Sequence, residues 1–122
     1  MPRVIHFEIP ADNPERAVKF YQQVFGWKAE KYPGAMEYWL VKTGEDNEPG
    51  INGAIKEKGE FANATTNTVD VASYEDAVKK IIAAGGRVLM PKMAVPGVGY
   101  MTYCLDTEGN VFGIMQNDPS AK

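Results

Sequence analysis

Val4-Ile5-His6-Phe7-Glu8-Ile9-Pro10-Ala11-Asp12-Asn13-Pro14-Glu15-Arg16-Ala17-Val18-Lys19-Phe20-Tyr21-Gln22-Gln23-Val24-Phe25-Gly26 is the stretch on which the fold turns. Its first part alternates. Ile5, Phe7 and Ile9 fall on one side of an extended chain and Val4, His6 and Glu8 on the other, the period-two pattern of a strand with one face in a core. The period then changes. Asp12 or Asn13 is placed to cap orphan N–H groups and Pro14 suits a first helical turn. Ala17, Phe20, Tyr21, Val24 and Phe25 form one apolar stripe that stops at Gly26. A strand and a capped helix from Pro14 to Phe25 are expected.

The same order recurs downstream. Thr65 to Val71 is β-branched, and Ser73 precedes Glu75, Asp76, Ala77, Val78, Ile81 and Ile82, which have helical spacing and stop at Gly85-Gly86. Three strands are expected after the first helix, near Trp27 to Lys31, Glu37 to Val41 and Ile51 to Ile55. Three more follow the second, at Arg87 to Met90, Gly99 to Leu105 and Val111 to Met115. A shift of 60 residues aligns Glu15 with Glu75, Ala17 with Ala77, Val18 with Val78, Lys19 with Lys79 and Gly26 with Gly86. It also aligns Asp46 with Asp106, Glu48 with Glu108 and Gly53 with Gly113. The simplest account is an α+β single domain, residues 1–122, made of two tandem βαβββ modules over 1–60 and 61–122.

Composition narrows the function classes. The 122 residues are 44% hydrophobic and 24% charged, ordinary for one globular domain. The net charge of −3, without a long run of either sign, argues against nucleic acid and an anionic membrane as partners. No segment approaches the length of a membrane span, and Met1 leads into a charged strand-like segment. Cys104 is the only cysteine, so no intramolecular disulfide forms and a cytoplasmic location is expected. His6 is the only histidine, which removes multi-histidine metal sites.

The set Val4 to Asp12, Arg16-Ala17-Val18-Lys19-Phe20-Tyr21 running to Phe25-Gly26-Trp27, and Asp106-Thr107-Glu108-Gly109-Asn110-Val111-Phe112-Gly113 resembles the vicinal oxygen chelate superfamily. That superfamily includes glyoxalase I, bleomycin resistance proteins and extradiol dioxygenases. Gly50-Ile51-Asn52-Gly53, with Met90-Pro91-Lys92 leading to Pro96-Gly97-Val98-Gly99, is similar to a glyoxalase-like subgroup of poorly defined function. The resemblance implies an open eight-stranded half-barrel sheet around a cleft, with helices outside and a homodimer as the working form. It also implies four inward positions that hold a divalent ion in metal-using relatives. Those positions fall on His6, near Thr66, on Gly113 and close to Gly53. Only the first is a strong donor, so no metal and no other cofactor are expected; a weakly held divalent ion through His6 and Glu8 is the alternative.

The expected function is binding of a small, partly apolar organic molecule in the cleft, in the manner of the bleomycin resistance branch. The alternative is a lyase, isomerase or oxygenase in which His6 and Glu8 perform acid-base chemistry. His6 is either that base or a hydrogen-bonded pocket histidine. Glu8 is costly to bury alone, so it either meets cleft water or bonds His6, Thr68 or a ligand. Gly53 and Gly113 either make room for a ligand or mark bends in a curved sheet. Trp39, Thr66, Thr68, Met101, Tyr103 and Met115 complete the expected ligand-binding set, the strand parity of Trp39 and of the Met101 strand being open. Met90 to Met101 reads as a mobile flap or as a twisted edge hairpin.

Overall fold

Asn13 Oδ1 accepts the backbone N–H of Arg16 at 3.1 Å and Ser73 Oγ accepts that of Asp76 at 3.2 Å, so two equivalent capping residues start the two helices. The computed structural model describes residues 1–122. Its elements are β1 (Val4–Ala11), α1 (Pro14–Phe25), β2 (Lys28–Lys31), β3 (Tyr38–Lys42), β4 (Asn52–Glu57), β5 (Thr66–Asp70), α2 (Tyr74–Ala83), β6 (Arg87–Val88), β7 (Met93–Val95), β8 (Gly99–Leu105) and β9 (Val111–Asn117). The class is α+β. Pro14 opens α1, and Gly26, left-handed at φ 72°, closes it by donating its N–H to Gln22 O. The chain divides into two compact units, Ile5–Thr66 and Met1–Val4 with Asn67–Lys122.

In the N-terminal unit the strand order is β2-β3-β4-β1, with β1 parallel to β4 and the other pairs antiparallel. One sheet face packs on α1. Val18, Val41 and Ile55 are its buried centre, with Phe7, Ile9, Tyr21, Trp27 and Trp39 against them. Tyr21 stacks on Trp27 with centroids 4.9 Å apart, which fixes the chain where it leaves the helix. Complete burial of Ile55 alone contributes about 1.5–3 kcal/mol.

The C-terminal unit repeats the plan in the order β5-β9-β8-β6, with β5 parallel to β9. Tyr74, Cys104 and Ile114 form the buried centre beneath α2, with Val78, Ile81 and Phe112 packed around them. The ninth strand, one more than the eight expected, is β7. Pro91 follows a shortened β6, and Val98 N–H donates to Val95 O at 2.9 Å around Gly97, which returns the chain into β8. The Met90 to Met101 segment is thus a hairpin in its β7–β8 part.

The units differ in one strand. Glu8 pairs with Ala54, whereas Thr68, its counterpart at the 60-residue shift, pairs with Gly113. Pairing therefore matches Gly113 to Ala54 and not to Gly53. A slip of one residue turns every side chain of a strand to its other face.

Candidate functional site

On the sheet face of the N-terminal unit that points away from α1, register brings together His6 and Glu8 from β1, Ala54 and Lys56 from β4, and Tyr38 and Leu40 from β3. Four of these side chains form a polar chain. His6 Nε2 lies 3.0 Å from Tyr38 Oη, Tyr38 donates its hydroxyl proton to Glu8 Oε2 at 2.7 Å, and Lys56 Nζ stands 3.9 Å from Glu8 Oε1. Glu8 and Lys56 are only 5% and 9% exposed, so this is an interior network and not a surface ion pair.

A carboxylate in mid-strand is tolerated here because a phenol and an ammonium both meet it. Burial lowers the proton affinity of His6 below the ordinary 6.5, and the nearby Glu8 carboxylate only partly offsets this. The imidazole is therefore neutral at pH 7. Beside it lies an open depression of about 570 Å³ bordered by all four strands. His6, Asn52, Leu40, Lys28, Lys42, Glu30 and Asp46 border it, so its wall mixes apolar surface with hydrogen-bonding groups and charges of both signs.

Not every expected site residue shares this face. Trp39 packs with Val41 and Ile55 on the α1 side and donates its Nε1–H to Glu37 Oε2 at 3.1 Å. Gly53 also faces that side, beneath the Phe7 ring, and borders the depression through backbone only. Thr66 is buried, with its hydroxyl donating to Ala64 O at 3.1 Å. In the C-terminal unit, Thr68, Gly113 and Tyr103 form one register row across β5, β9 and β8, and Met115, Met101 and Met93 form the next across β9, β8 and β7. Thr68, Met101, Tyr103, Gly113 and Met115 thus share the face that points away from α2.

Sequence reasoning missed Tyr38 and Lys56, which both meet the Glu8 carboxylate. A signal existed for the lysine: Lys56 follows Ala54-Ile55 within a strand and must find an anion if buried. Tyr38 gave none, because the run Tyr38-Trp39-Leu40-Val41 lacks a polar residue that would set the parity.

Residues 3–44, which hold His6, Glu8 and Tyr38, match the family described as bleomycin resistance protein-like N-terminal. No curated protein sequence matches significantly. Among solved structures, methylmalonyl-CoA epimerase in complex with methylmalonyl-CoA and NH4+ is similar at TM-score 0.73 and 15% identity, over 100% of this chain and 99% of that one. A Streptomyces coelicolor methylmalonyl-CoA epimerase variant in complex with 2-nitronate-propionyl-CoA gives 0.72 and 15%, over 98% and 97%. A hypothetical protein of Bacillus halodurans C-125 gives 0.73 and 11%, over 99% and 98%. At these identities the likeness is one of fold.

Proposed function

We propose that the chain is a member of the vicinal oxygen chelate superfamily that binds a small, partly apolar organic molecule without a metal centre, a reading supported by the family match over residues 3–44 and by the likeness of fold. The observation that carries this reading is the depression of about 570 Å³ beside His6, a size suited to a small ligand. Leu40 offers apolar contact, Asn52 and His6 offer hydrogen bonds, and the rim carries positive charge on Lys28 and Lys42 and negative charge on Glu30 and Asp46. The residues do not fit a divalent ion. Pairing puts Ala54 on the fourth strand where the resemblance calls for a ligand, and Lys56 already supplies the positive charge at Glu8.

Titrating ¹⁵N-labelled protein with a panel of small aromatic and aliphatic acids, alcohols and amides tests the binding role. Amide signals of His6, Leu40 and Asn52 should move, while those of Phe20 and Val24, exposed on α1, stay in place. A panel that moves none of the first three refutes the reading.

A second reading has its own support. The His6-Tyr38-Glu8 chain orients a neutral imidazole, which is the starting point for a general base. Deuterium incorporation from D₂O into dihydroxyacetone, catalysed by the wild type and lost in His6→Ala, would favour an enzyme. Equal rates in both proteins would remove it.

A further inference from the structure

The two ring nitrogens of His6 keep different company. Tyr38 Oη carries one proton, and the 2.7 Å bond to Glu8 Oε2 uses it, because a carboxylate beside an ammonium has only lone pairs to offer. Tyr38 therefore turns a lone pair toward His6. The 3.0 Å contact is then Nε2–H donating to Oη, which leaves Nδ1 of the neutral ring with a free lone pair. Nδ1 makes no hydrogen bond within the protein, and no buried side-chain nitrogen or oxygen lacks a partner, so Nδ1 is open to solvent. His6 borders the depression.

We propose that Tyr38 is a positioning residue that holds His6 in the Nε2–H form, so that Nδ1 is a hydrogen-bond acceptor and the ligand group selected there is a neutral O–H or N–H donor and not a carboxylate. The ligand half rests on the binding role proposed above; the tautomer half stands without it. The pairing is directional. A carboxylate brought to Nδ1 would set two acceptors against each other, whereas an alcohol, enol, phenol or amide N–H completes the chain that ends at Lys56.

Because His6 is the sole histidine, ¹⁵N-histidine labelling gives one pair of ring signals without assignment work. In the wild type at neutral pH, Nε2 should show the protonated type of shift and Nδ1 the lone-pair type. In Tyr38→Phe, which keeps the ring and loses the oxygen, the two signals should move toward each other as the tautomers mix. Phenol should shift the Nδ1 signal, and benzoate at the same concentration should not. A proton on Nδ1 in the wild type overturns the proposal, whether or not the variant folds. A folded Tyr38→Phe protein with wild-type ring signals overturns the positioning role. Failure of phenol to move Nδ1, or a larger effect of benzoate, overturns the ligand half and leaves the tautomer result standing.

Discussion

The ring of Phe7 occupies the space that a side chain at Gly53 would need: a Cβ built on Gly53 falls 2.6 Å from Phe7 Cδ1 and also meets the Phe7 carbonyl oxygen. The glycine is there for close approach of β4 to β1 on the core side. Gly53→Ala should therefore lose about 1–3 kcal/mol by overpacking. Gly113 differs, since its Cβ would meet Thr68 Oγ1 at 3.0 Å, an atom that a rotamer change moves away. Gly113→Ala should cost under about 1 kcal/mol. Urea unfolding of both variants checks the order, and equal losses would contradict it.

That contrast bears on how far the sequence could be read. The helices were legible because Asn13, Pro14, Gly26 and Ser73 are local signals with one physical meaning each. Thr68, Tyr103 and Gly113 all belong to the expected ligand-binding set, with the parity of the Tyr103 strand open in the sequence, and register places them in one row. The sequence leaves the parity of the Trp39 strand open, and Trp39 and Gly53 both face α1. β3 is apolar at successive positions and β4 slips by one residue against the internal repeat, so neither alternation nor repeat symmetry fixes which side faces α1. Partners across strands, such as Tyr38 with Glu8, depend on that register and stay hidden until it is known.

The Glu8–Lys56 pair should prove costly to break from one side. Both side chains are nearly buried, at 7% and 11% exposure, so solvent cannot replace the lost partner. Lys56→Met should destabilise by about 3 kcal/mol, the lower end for a buried pair because the separation is 3.9 Å. Glu8→Gln added to Lys56→Met should recover part of that loss, since the charge left behind is gone. A double variant no more stable than Lys56→Met alone would mean that packing, and not charge, sets the cost.

His6 makes stability fall on mild acidification. Its folded proton affinity lies below the ordinary 6.5, so the unfolded chain binds the extra proton first. Stability is full above pH 6.5, declines as pH drops through the interval down to the lowered folded value, and then levels off with respect to this group. Asp106 and Asp118, whose carboxyls are held low by hydrogen bonds from Asn110 and Ser120, act only at more acidic pH. Denaturant midpoints between pH 7 and pH 5 should therefore shift in the wild type and shift less in His6→Gln. Parallel profiles would contradict the assignment to His6.

Cys104 should be silent to thiol reagents in the folded protein. It is fully buried, and burial pushes its thiol up to about 11. At pH 8 an aromatic disulfide reagent should react only as fast as the chain opens, and at full speed in denaturant. Stability should also fall as pH rises from 9 toward 11, where the unfolded thiol ionises and the folded one does not. Prompt labelling of native protein would show that the core around Ile114 opens readily.

Metal content is the point on which resemblance and residues diverge. The resemblance implies four inward ligands; this chain offers His6, with Ala54, Thr66 and Gly113 where the other three belong, Ala54 replacing Gly53 by pairing. Glu8 is the one carboxylate beside His6, and it is engaged by the Tyr38 hydroxyl and the Lys56 ammonium. No group of three or more His, Cys, Asp or Glu is placed to hold an ion. A dication at Glu8 would have to displace Lys56 or sit against its charge, with one imidazole in return. Protein dialysed without chelator should contain far less than one equivalent of Zn, Ni, Mn or Fe by elemental analysis. Chelation should leave its thermal midpoint unchanged, since an ion bound only to the native state would raise it. Stoichiometric metal that disappears in both His6→Ala and Glu8→Gln would overturn the metal-free reading and bring the acid-base alternative forward.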